Sequence, residues 1–188
     1  MHEIEPFYRW REFYIASEDE RSPFYGYKNS EVWYEHAIYD HYIHPQWDFF
    51  GSQTLYIKIL FVHYDLHFAV IELFGEWNDI LYNDIMYLYR NVIEELLQQG
   101  IQYFILIGEN VLDFHADTDD YFAEWFDQLD DGWIVGLNFR QHVRDEFQQA
   151  NIGQYLIFGG AFNEFSWRKL LPEQLFNMLN QWVIHQLY

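Results

Sequence analysis

From residue 54 onward the chain switches repeatedly between two kinds of apolar pattern, and this alternation limits its architecture more than any other feature. Leu55, Ile57, Ile59 and Phe61 alternate with Tyr56, Lys58, Leu60 and Val62. A second apolar run, His67 to Phe74, follows the short His63-Tyr64-Asp65-Leu66 connection. Two such runs joined by a short turn form a β-hairpin, which Gly75 is expected to end. Asn78 and Asp79 then suit a helix N-cap. Ile85, Leu88, Tyr89, Val92 and Leu96 recur at helical spacing up to Gly100, which suits a left-handed C-cap.

Three further strand–helix units come next. Gln102–Ile107 is almost wholly apolar, as in a parallel strand covered on both faces. A polar loop is expected over Gly108–Asp117. Asp117 or Thr118 would cap a helix with Phe122, Trp125, Phe126 and Leu129 on one face. Trp133–Phe139 is a strand, Gln141–Ala150 a helix carrying Val143 and Phe147, and Gln154–Phe158 a strand closed by Gly159-Gly160. Pro172 opens a last helix striped by Leu175, Leu179, Trp182 and Val183. The order hairpin, α, β, α, β, α, β, α predicts an α/β fold: a mostly parallel sheet with an opening β-hairpin and helices packed on it.

Residues 1–52 break this rhythm. They are dense in Tyr, Phe, Trp and charges without a clear period. A short helix from Ser30-Glu31 to about Ile43, stopped by His44-Pro45, is the element expected there. The segment reads as an aromatic-rich extension, and residues 53–188 as one α/β domain, consistent with the 188-residue length.

Charge and composition narrow the partners. Thirty acidic against ten basic side chains give a net charge of −20. Such a surface repels nucleic-acid phosphates and attracts a basic protein. A chain without cysteine has no disulfide, thiolate metal site or cysteine nucleophile, and fits a reducing, cytoplasmic setting. The start Met1-His2-Glu3-Ile4-Glu5-Pro6 lacks the basic region and apolar run of a signal peptide. No apolar stretch approaches the roughly 20 residues that span a bilayer, so no membrane is expected.

The runs "HFAVIELFGEW", "YFILIG", "WIVGLNF" and "QYLIFGG", with a closing "LPEQLFNMLNQW" helix, together resemble the STAS domain, the fold of the anti-sigma-factor antagonists, over about Thr54–Tyr188. The resemblance implies a small, non-catalytic regulatory module that binds a protein or an apolar ligand. Regulatory members of that family carry an Asp-Ser-Ser/Thr-Gly phosphorylation site after the strand that matches Tyr103–Ile107. Here the corresponding stretch, Val111–Asp120, contains no serine, and Thr118 is its one hydroxyl acceptor. Neighbouring aspartates would repel a phosphate there, while a helix N-terminus would partly offset them.

In an open α/β sheet, ligands collect beyond the carboxyl ends of the strands. The loops predicted there hold Glu109, Asn110, Asp113, His115 and Asp117, then Asn138, Arg140, Gln141 and His142, then Gly159–Glu164. Glu109, Asp113, His115, Asp117, Asn138 and His142 are therefore the candidate ligand-binding residues. Asp113-x-His115-x-Asp117-x-Asp119 has the alternating oxygens of a calcium loop, with Glu124 at its twelfth position, but Thr118 replaces the glycine its turn requires. His36, Asp40 and His44 would share a face of the expected 30–43 helix and could hold a transition metal there. His63 and His67 flank a turn but make an incomplete site. Glu72 shares a strand face with Val70 and Phe74; buried, its carboxyl would have a raised pKa, and a place at the sheet edge is expected.

No serine lies in a Gly-x-Ser-x-Gly elbow, and no glycine-rich phosphate loop is present, so neither a hydrolase nor a nucleotide site is indicated. The sequence thus favours a STAS-like regulatory or interaction module, with no cofactor and a protein partner. A homodimer is also compatible with it. The alternatives are a small enzyme or ligand binder using the strand-end loops, and an acidic inhibitor or immunity-like protein that neutralises a basic partner.

Overall fold

The computed structural model describes residues 2–30, 32–34 and 36–187, with side chains to residue 185. Strands β1 (His2–Ile4), β2 (Ala37–Ile38) and β3 (His41–Ile43) form a small sheet in the order β1-β3-β2. Strands β4 (Leu55–His63) and β5 (Phe68–Asn78) form the expected hairpin. Short helices α1 (Asp79–Tyr82) and α2 (Asp84–Leu88), a π-turn (Tyr89–Ile93) and α3 (Glu94–Gln98) lead to β6 (Tyr103–His115). Helix α4 (Asp120–Asp127), β7 (Trp133–Leu137), α5 (Gln141–Gln149), β8 (Leu156–Ile157) and α6 (Pro172–Leu187) complete the chain. The main sheet runs β4-β5-β6-β7-β8, and its one antiparallel pairing is β4 with β5. This is the mixed, mostly parallel α/β sheet that the alternation predicted.

Period-two alternation sorts most strand residues into two main cores, while Tyr56 and Phe74 join Ile38, Ile43 and Trp47 in a third, smaller cluster. Ala69, Ile71 and Leu73 of β5, with Phe104 and Leu106 of β6, face the layer formed by α2–α5. Phe68 and Val70, with Ile105, Ile107, Val135 and Leu137, face α6 and Trp10. In β4 the register slips between Ile59 and Phe61, so Leu60 lies on the Trp10 side and Val62 on the other. A β-bulge of this kind adds one residue and reverses the inside–outside phase of the rest of the strand.

The first helical stretch is bent rather than continuous. Asn78 caps α1 through its side chain, which accepts from the Leu81 N–H at 2.9 Å. Asn83, at φ +52, ends α1 in the left-handed region. Asp79 then accepts from the Trp77 Nε1–H and the Ile85 N–H, and Asp84 accepts from the Asn78 N–H. Asp79 thus satisfies a free N–H in the first turn of α2, and Asp84 fixes that turn to the end of β5.

Three expectations fail on tertiary pairing. Gly75 does not end β5: it adopts φ +117 inside the strand, where a side-chain carbon would meet Thr54 O at 2.1 Å. Strand β6 does not stop at Ile107; beyond it Asn110, Val111, Asp113, Phe114 and His115 pair with the extended end of β5. No helix forms over residues 36–44, where a two-residue turn at Tyr39-Asp40 joins β2 to β3. Glu31 and Glu35 lie outside the described residues.

Several aromatic residues of the N-terminal segment pack against the main body. Trp10 packs edge-on against Trp167 and donates its indole N–H to Leu170 O. Ala16, Phe24 and Phe50 join the helix-side core, and Trp47 stacks on Phe74.

Candidate functional site

Parallel strands β5 to β8 end on one side of the sheet, where helix starts and connecting loops also gather. Polar residues of the extended β5 and β6 ends meet there because β6 continues six residues beyond Gly108–Glu109. Glu109, Asp113 and His115 are therefore strand residues, not members of a loop. The acidic run Asp113–Glu124 is accordingly not a cation loop, since its first three positions are extended.

The first cluster lies over β5 and β6. His115 Nε2 stands 3.6 Å from Glu76 Oε1 and 3.5 Å from Asp113 Oδ2. His142 Nε2, on α5, is 3.9 Å from Asp113 Oδ1 and 2.9 Å from Leu112 O. Two imidazoles therefore flank one carboxylate. Glu76 also accepts from the Tyr39 hydroxyl and, at 2.8 Å, from Asn78 Nδ2. Burial pushes the Glu76 carboxyl up, but the bonds from Tyr39 and Asn78 and the nearby His115 outweigh it, leaving its pKa below the ordinary value. The Tyr39 hydroxyl is pushed up to about 12, chiefly by its bond to Glu76. The cluster ties the β2–β3 turn, β5, β6 and α5 together.

A second cluster lies over β6 and β7. Glu72 is fully buried in β5, not at a sheet edge. Its Oε2 accepts from the Phe7 N–H at 2.8 Å, and Arg168 Nη2 is 3.9 Å from Oε1. Burial pushes this carboxyl up to about 7 against the opposing pull of Phe7 N–H and Arg168. Arg168 pairs directly with Glu109. Asn138, at φ +58, donates to Phe165 O at 2.9 Å and accepts from Phe165 N at 2.7 Å, fastening the 159–166 loop over the β7 end. Its Nδ2 is also 3.5 Å from Glu109 Oε2. A cleft of about 610 Å3 beside this cluster has Arg140, Arg144, Glu109 and Glu164 in its walls.

The structure thus brings Asp113, His115 and His142 together, and separately Glu109 and Asn138. Asp117 joins neither cluster; it is exposed in the turn before α4, and its charge acts on buried Asp79. Thr118 is exposed, and its hydroxyl donates to Asp120 Oδ2 at 3.0 Å. Neither Asp117 nor Thr118 caps α4; Asp119 occupies that position.

The metal set fails because its helix is absent. Asp40 sits in the hairpin turn, near His41 at 2.9 Å and His2 at 3.7 Å, while His44 faces Glu3 at 3.6 Å. Among the described residues no group of three His, Asp or Glu side chains that could hold a metal ion is formed, and His36, Asp40 and His44 do not share the helical face on which the expectation rested. His63 faces Glu173, and His67 contacts Gly100 O, so these two do not face each other as a pair either.

Glu76, Tyr39 and Arg168 are not marked by any local pattern. Glu76 follows a glycine in a stretch that reads as a strand end, and Tyr39 reaches it from 37 residues away.

No family model matches the chain, and no curated protein matches it. Solved structures similar to it include two of one protein. The anti-sigma factor antagonist SpoIIAA in its unphosphorylated form is 14% identical, with a TM-score of 0.44 over 66% of this chain and 96% of that one. The Bacillus cell fate determinant SpoIIAA in its phosphorylated form is 15% identical, with a TM-score of 0.41 over 65% and 98%.

Proposed function

We propose that the chain is a non-enzymatic interaction module that docks a basic protein partner on the aromatic face of its first 50 residues. One observation carries this reading. Among the described residues, nine of the ten exposed Phe, Tyr and Trp side chains lie between Tyr8 and Phe49. Trp33 is 73% exposed and shares a groove of about 300 Å3 with Phe49 and Tyr56. Tyr34 stacks edge-on with Tyr42 beside it. Exposed Trp and Tyr supply the central anchors of protein interfaces, and charge complementarity speeds the encounter. The net charge of −20 selects a basic partner. Two of the strand-end groups, Glu76 and Asn138, are engaged in joining elements of the fold.

The test is affinity capture at low salt with the wild type and the Trp33→Ala/Phe49→Ala variant, then purification of the captured protein and titration of the pair. A basic protein that binds the wild type, binds the variant at least tenfold more weakly, and dissociates at about 0.5 M salt is expected. Equal binding by both forms, or a captured partner indifferent to salt, would refute the proposal.

A further inference from the structure

The geometry points to a second site, for a small aromatic anion, in the cavity between the N-terminal segment and β4. This cavity is about 470 Å3, within the range of roughly 300–1,000 Å3 typical of small-molecule sites. Its walls hold Arg11, Lys28 and Lys58, three of the chain's ten basic side chains, and none of its thirty acidic ones. In a chain of net charge −20, that sorting makes the cavity a local reversal of sign. The cleft at the strand ends has no such character, because Arg140 and Arg144 share it with Glu109 and Glu164.

Each cation is held differently. Lys58 Nζ lies 3.1 Å from Asp48 Oδ2, a carboxylate only 2% exposed that also accepts from Asn29 Nδ2 at 2.7 Å. That pair fixes the ammonium and cancels its charge. Arg11 Nη2 donates to the neutral Gln46 Oε1 at 2.8 Å, which orients the guanidinium; its charge acts on Asp48 without a direct ion pair. Among the described residues, neither Arg11 nor Lys28 forms an ion pair. Among the described residues, Arg11 and Lys28 are thus the two cavity cations without a direct carboxylate partner.

The remaining walls select the body of the ligand. Trp10, Tyr14 and Tyr27 contribute aromatic surface, and Ile59 and Leu60 of β4 form an apolar side. A flat ring fits such walls, and a carboxylate or phosphate head fits the guanidinium fork and the ammonium beside it. Because the walls come from residues 6–29, residue 46 and β4, an occupant would bridge the N-terminal segment to the edge of the main sheet. The cavity borders the aromatic docking face, sharing Lys28 and Asn29 with the Trp33 groove, but Trp33 and Phe49 do not line it, so the two readings are tested by different variants.

The test is calorimetric titration of the full chain with 1-naphthyl phosphate and 1-naphthoate, using 1-naphthol as the neutral control. At least one anion is expected to bind with a Kd below about 1 mM, and 1-naphthol at least tenfold more weakly. Which anion binds more tightly identifies the head group. Arg11→Gln and Lys28→Gln, both exposed positions, are each expected to weaken binding roughly tenfold. Lys169→Gln, an exposed cation outside the cavity, is expected to leave it unchanged. The inference is overturned if neither anion binds, if 1-naphthol binds equally well, or if Lys169→Gln weakens binding as much as Arg11→Gln. Unchanged binding in both cavity variants overturns it as well.

Discussion

Replacing Glu72 by Gln should stabilise the protein at high pH and leave its stability at low pH nearly unchanged. The carboxyl titrates at about 7 in the folded protein instead of near 4.5, because it is fully buried. Between those values the folded chain keeps a proton that the unfolded chain has released. Folding stability therefore falls as pH rises through this window, and the loss is complete above the folded value. At about 1.4 kcal/mol per pH unit, the burden on the folded state reaches on the order of 3 kcal/mol by pH 8. Gln is nearly isosteric, and its carbonyl oxygen can still accept the Phe7 N–H that Glu72 accepts at 2.8 Å. The variant loses the 3.9 Å approach of Arg168, but Arg168 retains Glu109. Thermal unfolding of both proteins from pH 4 to pH 8 is the assay. The variant's melting temperature should draw level at the acid end and exceed the wild type by roughly 5–10 °C at pH 8. Other buried carboxylates tilt both curves alike, so the difference between them isolates Glu72. A constant offset, or a deficit in the variant that grows with pH, would refute the assignment of a buried, proton-holding carboxyl.

Three further outcomes are expected from the same contacts. Asn138→Ala should cost about 2–4 kcal/mol in urea denaturation, since it removes both bonds to Phe165 at a residue with φ +58; Asn138→Gly, which relieves the backbone, should cost less. Gly75→Ala should abolish a stable fold or cost several kcal/mol, because the added carbon meets Thr54 O at 2.1 Å, and circular dichroism would register the loss. Tyr39→Phe should raise the Glu76 pKa, read by carbon-detected NMR titration, because it removes a bond that stabilises the carboxylate; an unmoved titration would show that Asn78 and His115 alone set it.

The sequence displays those parts of the fold whose pattern is complete within one segment. The hairpin, the parallel strands of the main sheet and the helices after them carry their own periodicity, and each is formed. The second half of β6 is not legible because Gly108-Glu109-Asn110 resembles a turn. Pairing with Phe74–Asn78, across register shifts at Glu72/Phe74 and Gly75/Glu76, keeps that stretch extended. The region around His36–His44 misleads for a similar reason. Its strand β3 pairs with His2–Ile4, about 40 residues earlier, and no local spacing announces a parallel partner at that distance. Of the strand-end residues, Asp113, His115 and His142 converge, but through a strand edge and a helix rather than through loops. Glu72 is visible as an anomaly on an apolar strand, whereas its partners Phe7 and Arg168, 65 and 96 residues away, are not.

The two faces of the main sheet also differ in when they can close. The helix-side face is covered mostly by segments that lie between one strand and the next, so residues 55–156 carry most of its cover. The opposite face waits for partners from far along the chain: Trp10 bonds to Leu170 across 160 residues, and Phe68 stacks on Phe176 at 4.4 Å. Contacts of such separation form late, because the intervening chain must be ordered first. Until α6 and the Trp10 turn arrive, Val70, Ile105 and Val135 form a bare apolar strip on an already assembled sheet. During synthesis that strip is the surface on which a holding chaperone, or a second nascent copy, would settle.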